Sequence, residues 1–283
     1  MQCTAYRPVL MAMWLLIGLP VASQPATRAV ALAPSLTELV FAAGAGDKLV
    51  GVSAYSDFPV AARMLPQVAD ASGIAWERLL ALKPDLVLAW KSGTRPADIA
   101  RLASLGLQVV TIEIRHLRDV PASLRLVGNH LGSTASAEAA AAAFERSLDV
   151  LRQANGRKRL LKSFIEISAK PLMTVNSDHV LSEVLAICGG ENAFADAVAL
   201  VSEPSREAMM QRGIDVILRA GSSPASGRDM ESYRGLTAHR LHRIYPFTAD
   251  FAFRPGPRLL LAAEEICTAL DRARASLAER EIR

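Results

Sequence analysis

Residues 136–155 read SAEAAAAAFERSLDVLRQAN. The stretch holds no Gly or Pro, is built from strong helix formers, and ends just before Gly156. A helix of this length spans about 30 Å, the width of a small domain. On either side of it the pattern is different: short apolar runs alternate with short helical segments. A single long helix between two such stretches is a connector, and that decides the fold.

N-terminal to the connector, RAVAL (28–32), LVGVS (49–53), the run ending DLVLAW (85–90) and LQVVTI (107–112) read as strands. Between them PSLTELVFAAG, AWERLLALKP and PADIARLASLG read as helices. In the first of these, Ser35 and Glu38 are spaced as a capping box and Gly44 is placed to stop the helix. C-terminal to the connector the alternation restarts with KSFIEIS (162–168), HVLSEVLAICGG (179–190), SREAMMQRG (205–213), IDVILRAG (214–221) and LHRIYPF (241–247), then a last helix from Pro257 to about Ala275. This rhythm predicts parallel sheets with helices on both faces. The expected fold class is α/β: two Rossmann-like lobes joined by one long α-helix. The expected boundaries are a signal peptide over 1–23, an N-terminal α/β lobe over 24–134, a bridging helix over 135–157 and a C-terminal α/β lobe over 158–283.

The halves echo each other. TELVFAAGAGD matches SEVLAICGGEN, with Glu38 to Gly44 and Glu183 to Gly189 both six apart. ERLLALKPDLVLAW matches REAMMQRGIDVILRAG, with Glu77 to Asp85 and Glu207 to Asp215 both eight apart. One α/β unit used twice accounts for both matches, and chance likeness between doubly wound lobes is the alternative.

The chain is 51% hydrophobic with a formal charge of +4, and no Lys/Arg cluster interleaved with aromatics argues for nucleic acid. At the N-terminus Arg7 precedes an apolar core from Val9 to Leu19, broken at Pro20 and followed by Ala22 and Ser23. That is the layout of a secretory signal peptide, with cleavage expected just after Ser23 and the mature chain expected to be exported. Cys3 leaves with it. Cys188 and Cys267 then form an even pair in an oxidising compartment. They read as a disulfide, two separately buried thiols being the alternative. Closing a loop of that size contributes roughly 4–5 kcal/mol in the chain-entropy treatment.

In open α/β sheets ligands bind beyond the carboxyl ends of the strands. The residues just past those ends are Pro34, Ser35, Tyr55, Trp90 and Met173, together with the loop FTADFAFRPGPR, which holds Phe247, Asp250, Phe251, Phe253 and Arg254. A tryptophan closing a buried apolar strand is poorly explained by packing. It is well explained by a ligand cleft, where a flat ring with one N–H is useful. No catalytic constellation is present: there is no G-x-S-x-G, Walker or H-E-x-x-H motif, Ser35 and Ser53 have no evident base, and His239 with His242 is an isolated pair in a polar stretch. No enzyme activity, cofactor or metal site is expected. Glu77 and Glu207 occupy the first turn of the repeated short helix, where an acid either offsets the helix dipole or, one per lobe, docks a basic partner.

GVSAYSDFP, ERLLALKPDLVLAW, LASLG, EVLAICGGEN, SRE and PRLLLAAEEICTAL, in that order, resemble the periplasmic cobalamin (vitamin B12)-binding proteins of bacterial ABC importers, a helical-backbone (class III) substrate-binding protein family. The likeness runs from about Ala29 to Arg272. It implies a monomeric receptor that captures a corrinoid between its lobes and delivers it to the membrane permease, with haem or a ferric siderophore as the alternative ligand. It implies that Tyr55 and Trp90 meet the corrin, that Asp250 and Arg254 reach the ligand from the second lobe, that Glu77 and Glu207 engage permease arginines, and that Cys188 and Cys267 are bridged. The sequence departs from the family at Ala71, Met173 and Val201, where it lacks aromatic rings.

Overall fold

The structure, a computed structural model, describes residues 24–221 and 233–281. The predicted signal peptide lies outside them. The chain runs β1 (Ala29–Ala31), α1 (Pro34–Ala42), β2 (Leu49–Ser53), β3 (Gln67–Asp70), β4 (Gly73–Ile74), α2 (Trp76–Ala81), β5 (Leu86–Trp90), α3 (Pro96–Ser104), β6 (Gln108–Ile112) and α4 (Asp119–Leu131). Helix α5 (Thr134–Asn155) follows. Then come β7 (Leu161–Glu166), β8 (Ser168–Ala169), β9 (Leu172–Val175), α6 (Val180–Ile187), β10 (Gly190–Asn192), β11 (Val201–Ser202), α7 (Arg206–Gln211), β12 (Val216–Ala220), α8 (Thr237–Arg240), β13 (Ile244–Phe247), α9 (Ala249–Phe253) and α10 (Leu259–Glu281).

The first sheet has the order β4-β3-β2-β1-β5-β6 and is parallel except at β3–β4. The second, β10-β7-β12-β13, is parallel throughout. A small antiparallel ribbon, β11-β9-β8, flanks it. Both parallel sheets are buried on two faces, as continuous apolar strands require. Val30 and Val87 pack with Leu79 and Leu102 on one face, while Ala29, Ala31, Leu86 and Leu88 face the main core. The second sheet repeats this alternation, with Phe164 and Ile217 on its outer face and Ile165, Val216 and Leu218 on its inner face. The two inner faces belong to one continuous core that takes in Phe144 and Leu148 of α5 and the length of α10. The lobes are therefore two halves of one apolar mass.

The sequence echo has a structural meaning. Asp85 accepts from the N–H groups of Thr27 and Arg28 at the entry to β1, at 2.8 and 3.0 Å. Asp215 accepts from Lys162 N–H in β7, at 3.0 Å. Gly44 and Gly189 end their helices in the same left-handed conformation, with φ of 76° and 73°. Matched positions do matched work in the two lobes.

Two expectations are corrected. Ser35 and Glu38 do not form a capping box: Ala33 is the N-cap of α1, Pro34 opens the helix, and no side chain caps it. Proline at the first helical position leaves one less N–H to satisfy, so the cap is dispensable. Helix α4 is absent from the sequence reading. Pro121 lies in its first turn, where a missing N–H costs nothing, and Val120, Leu124, Val127 and Leu131 form its buried stripe.

The cysteine pair is a disulfide, Cys188–Cys267, which ties the end of α6 to α10 across 79 residues of chain.

Candidate functional site

A cleft of about 380 Å³ opens between the lobes. Its first wall is made where the strands of the first sheet end. Leu32–Ser35 follow β1, Trp90, Ser92 and Gly93 close β5, and Glu113–Arg115 follow β6. Trp90 is half-buried and pairs with Ile112 at the sheet end. Gly93 lies against its ring: a Cβ there would come within 3.2 Å of Trp90 Cδ1, so the turn has to be glycine or shift the indole. Glu113 is pinned by Ser92, accepting from its backbone N–H at 2.8 Å and its hydroxyl at 2.9 Å. Arg115 lies 4.0 Å away.

The opposite wall comes from the second lobe, with Asp178–Val180, Leu200, Phe253 and Pro255. Its central turn is held by buried amides. Asn176 Oδ1 accepts from Asp178 N–H and its Nδ2 donates to Ala197 O. Ser182 donates to Asn176 O at 2.6 Å, and Asn192 donates to both Ser182 Oγ and Val175 O. His179 is the N-cap of α6, and its Nδ1 accepts from Leu181 N–H at 3.2 Å. Burial lowers its pKa from 6.5 to about 4, so the ring is neutral at pH 7.

Two side-chain ties cross between the lobes. On one side Glu38 of α1, with its side chain 3% exposed, accepts a fork from Arg258: Nε reaches Oε2 at 2.7 Å, and Nη2 bonds Oε1. Arg254 stands beside them, 3.9 Å from Glu38 and 2.5 Å from Asp57. The Arg258 guanidinium also lies over the Phe58 and Phe251 rings. Burial pushes the Glu38 carboxyl above its usual range against the pull of Arg258. Burial also acts upward on Asp57, but the hydrogen bond and charge of Arg254 outweigh it and hold Asp57 low. On the other side Glu183 of α6 accepts from Leu117 N–H at 2.8 Å and lies 2.5 Å from His116 Nδ1. Glu38 and Glu183 are the paired acids of the sequence echo, and each reaches into the lobe that is not its own.

Of the predicted ligand residues, the cleft brings together Pro34, Ser35, Trp90 and Phe253. Arg254 does not line it. The Arg254 side chain is 14% exposed and committed to Asp57. Asp250 is exposed, 3.8 Å from Arg254, and Phe251 packs over Arg258. Met173 sits in β9 opposite Ser168 and is not among the residues that line the cleft. Tyr55 is 76% exposed and has φ of 62°, a left-handed backbone unusual outside glycine. The next residue, buried Ser56, is held through its hydroxyl by Thr37 and Ser53 at 3.0 and 3.1 Å. Glu77 and Glu207 are exposed in the first turns of α2 and α7, and neither has an ion-pair partner among the described residues. Ala71 lies in an exposed turn, and Val201 pairs with Val175 in the ribbon. The sequence reading missed Glu113, Arg115, Asp178 and His179. Glu113 and Arg115 follow the end of β6, so the strand-end rule could have found them, whereas Asp178 and His179 follow β9 of the antiparallel ribbon, a strand the sequence did not announce. Among the described residues no group of three or more His, Cys, Asp or Glu could hold a metal ion.

Residues 30–245 match the family model described as periplasmic binding protein. The chain is 36% identical over 249 residues to the vitamin B12-binding protein of Pectobacterium atrosepticum, covering 86% of this chain and 88% of that one. It is 37% identical over 255 residues to the vitamin B12-binding protein of Yersinia pestis, covering 89% and 88%. Among solved structures, the periplasmic vitamin B12 binding protein BtuF of Vibrio cholerae superposes with a TM-score of 0.81 at 34% identity, over 88% of this chain and 98% of that chain. A periplasmic haem-binding protein of Pseudomonas aeruginosa shares the fold at 23% identity and a TM-score of 0.71, over 86% and 92%. With the cleft between two sheets, the long connecting helix and these likenesses in hand, the chain belongs to the periplasmic binding protein family.

Proposed function

We propose that the protein captures a corrinoid of the cobalamin type in the cleft between its lobes and delivers it to the membrane permease of an ABC importer. It works in the periplasm as a monomer, after removal of a signal peptide over residues 1–23. The observation that carries this reading is the 36–37% identity, over nearly nine-tenths of each chain, to vitamin B12-binding proteins. The cleft supports it: Trp90 offers a flat apolar face, and the polar groups around it suit recognition by hydrogen bonds. In this reading the lobes span 24–134 and 158–283, with 135–157 between them. Pro34, Ser35 and Trp90 form the ligand-facing wall. Tyr55, Met173, Asp250 and Phe251 serve the ligand's periphery, and Arg254 works through Asp57 by holding the lobes. Glu77 and Glu207, one free acid on each lobe, dock basic groups of the permease.

Calorimetric titration of the purified protein with cyanocobalamin, hemin and a ferric siderophore tests the ligand. Saturation by cyanocobalamin at about one per chain is expected, and binding of hemin alone overturns the assignment in favour of a haem receptor. Glu77→Ala combined with Glu207→Ala is expected to leave cyanocobalamin affinity unchanged and to abolish capture by permease in detergent. A loss of ligand affinity in that double variant would instead put the two acids in the binding site.

A further inference from the structure

His179 stands out in the cleft because its two ring nitrogens have different fates. Nδ1 faces the first turn of α6 and accepts from Leu181 N–H. A backbone N–H can only donate, so this nitrogen carries no proton and the neutral ring carries its proton on Nε2. Nε2 has no hydrogen-bond partner among the described residues, and His179 is one of the residues that line the cleft. The turn beneath it is stiff, because Asn176, Ser182 and Asn192 cross-brace residues 175–182 with buried hydrogen bonds. The cleft therefore holds a pre-oriented N–H donor with no protein acceptor. The charges around it narrow what that donor takes. Asp178 adjoins it and Glu113 lies on the facing wall, against one guanidinium, Arg115. Two carboxylates against one cation disfavour an anionic group and leave a neutral oxygen as the better match.

We propose that His179 is a ligand-facing hydrogen-bond donor whose Nε2–H recognises a neutral carbonyl oxygen, a carboxamide above all, on the ligand's rim, and that it is not a ligand to the metal of that molecule. The inference rests on the corrinoid reading above and deepens it by giving the cleft a group that tells an amide-rimmed chelate from a carboxylate-rimmed one.

The test uses the full mature chain, cyanocobalamin and hemin. His179→Asn keeps an oxygen to cap α6 but is too short to carry a donor to the cleft. Its dissociation constant for cyanocobalamin is expected to rise roughly tenfold with the melting temperature unchanged, the effect of one lost hydrogen bond. Hemin binding, if any, is expected to move by less than twofold. In the wild-type protein, nitrogen-15 NMR of labelled histidine is expected to show the Nε2–H tautomer of His179 without ligand, a readout that does not depend on the variant folding. The visible spectrum of bound cyanocobalamin is expected to keep the axial-ligand bands of the free form. Unchanged cyanocobalamin affinity in His179→Asn, an Nδ1–H tautomer, or axial-ligand bands that shift in wild type and revert in the variant would each overturn the proposal. Wild-type protein that binds no cyanocobalamin overturns the corrinoid reading and this inference with it, whereas wild-type binding that the variant shares overturns this inference alone.

Discussion

Trp90 and His179 show two kinds of site residue. Trp90 ends a strand that is otherwise wholly buried, and a bulky ring closing an apolar run is conspicuous from the order of residues alone. His179 is a lone histidine whose role depends on a helix that starts one residue later and on a cleft that faces it. Its burial has a pH consequence. The ring titrates near 4 when folded and near 6.5 when unfolded, so between those values the unfolded chain binds the proton more readily. Its contribution to stability is therefore complete above about pH 6.5 and is lost as pH falls towards 4. Between pH 7 and pH 5 the loss amounts to about 2 kcal/mol. Urea unfolding of wild type and His179→Asn at both values checks this. The variant should lose less stability on acidification by that amount, and parallel losses would contradict the buried, neutral ring.

At the scale of elements, α4 and α5 cross at very close range. Gly128 of α4 sits where a Cβ would come within 2.3 Å of Ala137 Cβ on α5, a contact no pair of carbons sustains. The helices can pack this tightly only because one of them has no side chain at the crossing. Gly128→Ala would gain helix propensity but force the pair apart, and overpacking of this kind costs about 1–3 kcal/mol. Chemical denaturation of Gly128→Ala should find that net loss, and a stabilised variant would mean that the crossing has slack. The long helix was legible from its composition and most of the strands from their apolar runs. Helix α4 was not, because Pro121 resembles a breaker unless it is known to fall in the first turn. The capping box failed for a related reason: Pro34 had already set the start of α1, so Glu38 was free to take a partner from the other lobe.

At the scale of the whole molecule, one apolar core and two side-chain ties join the lobes. Removing Arg258 would leave Glu38 buried beside Arg254 alone, and breaking a buried pair in this way costs on the order of 3 kcal/mol. The cost should itself depend on pH. Without Arg258 the buried carboxyl titrates still higher, so the folded form favours the protonated acid while the unfolded carboxyl ionises in its ordinary range. Stability of Arg258→Ala should then fall further below wild type as pH rises from 5 to 8. Thermal melts across that range test it, and a deficit that shrinks on going to pH 8 would show that Arg254 takes over the pair.

The sequence by itself determined the two α/β halves, the connector between them, the matched spacings in the two halves and the near wall of the cleft at Trp90, because each is encoded by local composition and periodicity, by strand ends or by fixed spacing along the chain. Only the tertiary structure decided which acids tie the lobes together, that Arg254 is spent on Asp57, and that His179 forms the far wall. Those pairings join residues from 67 to 220 positions apart, and their geometry exists only after both halves have packed onto a common core.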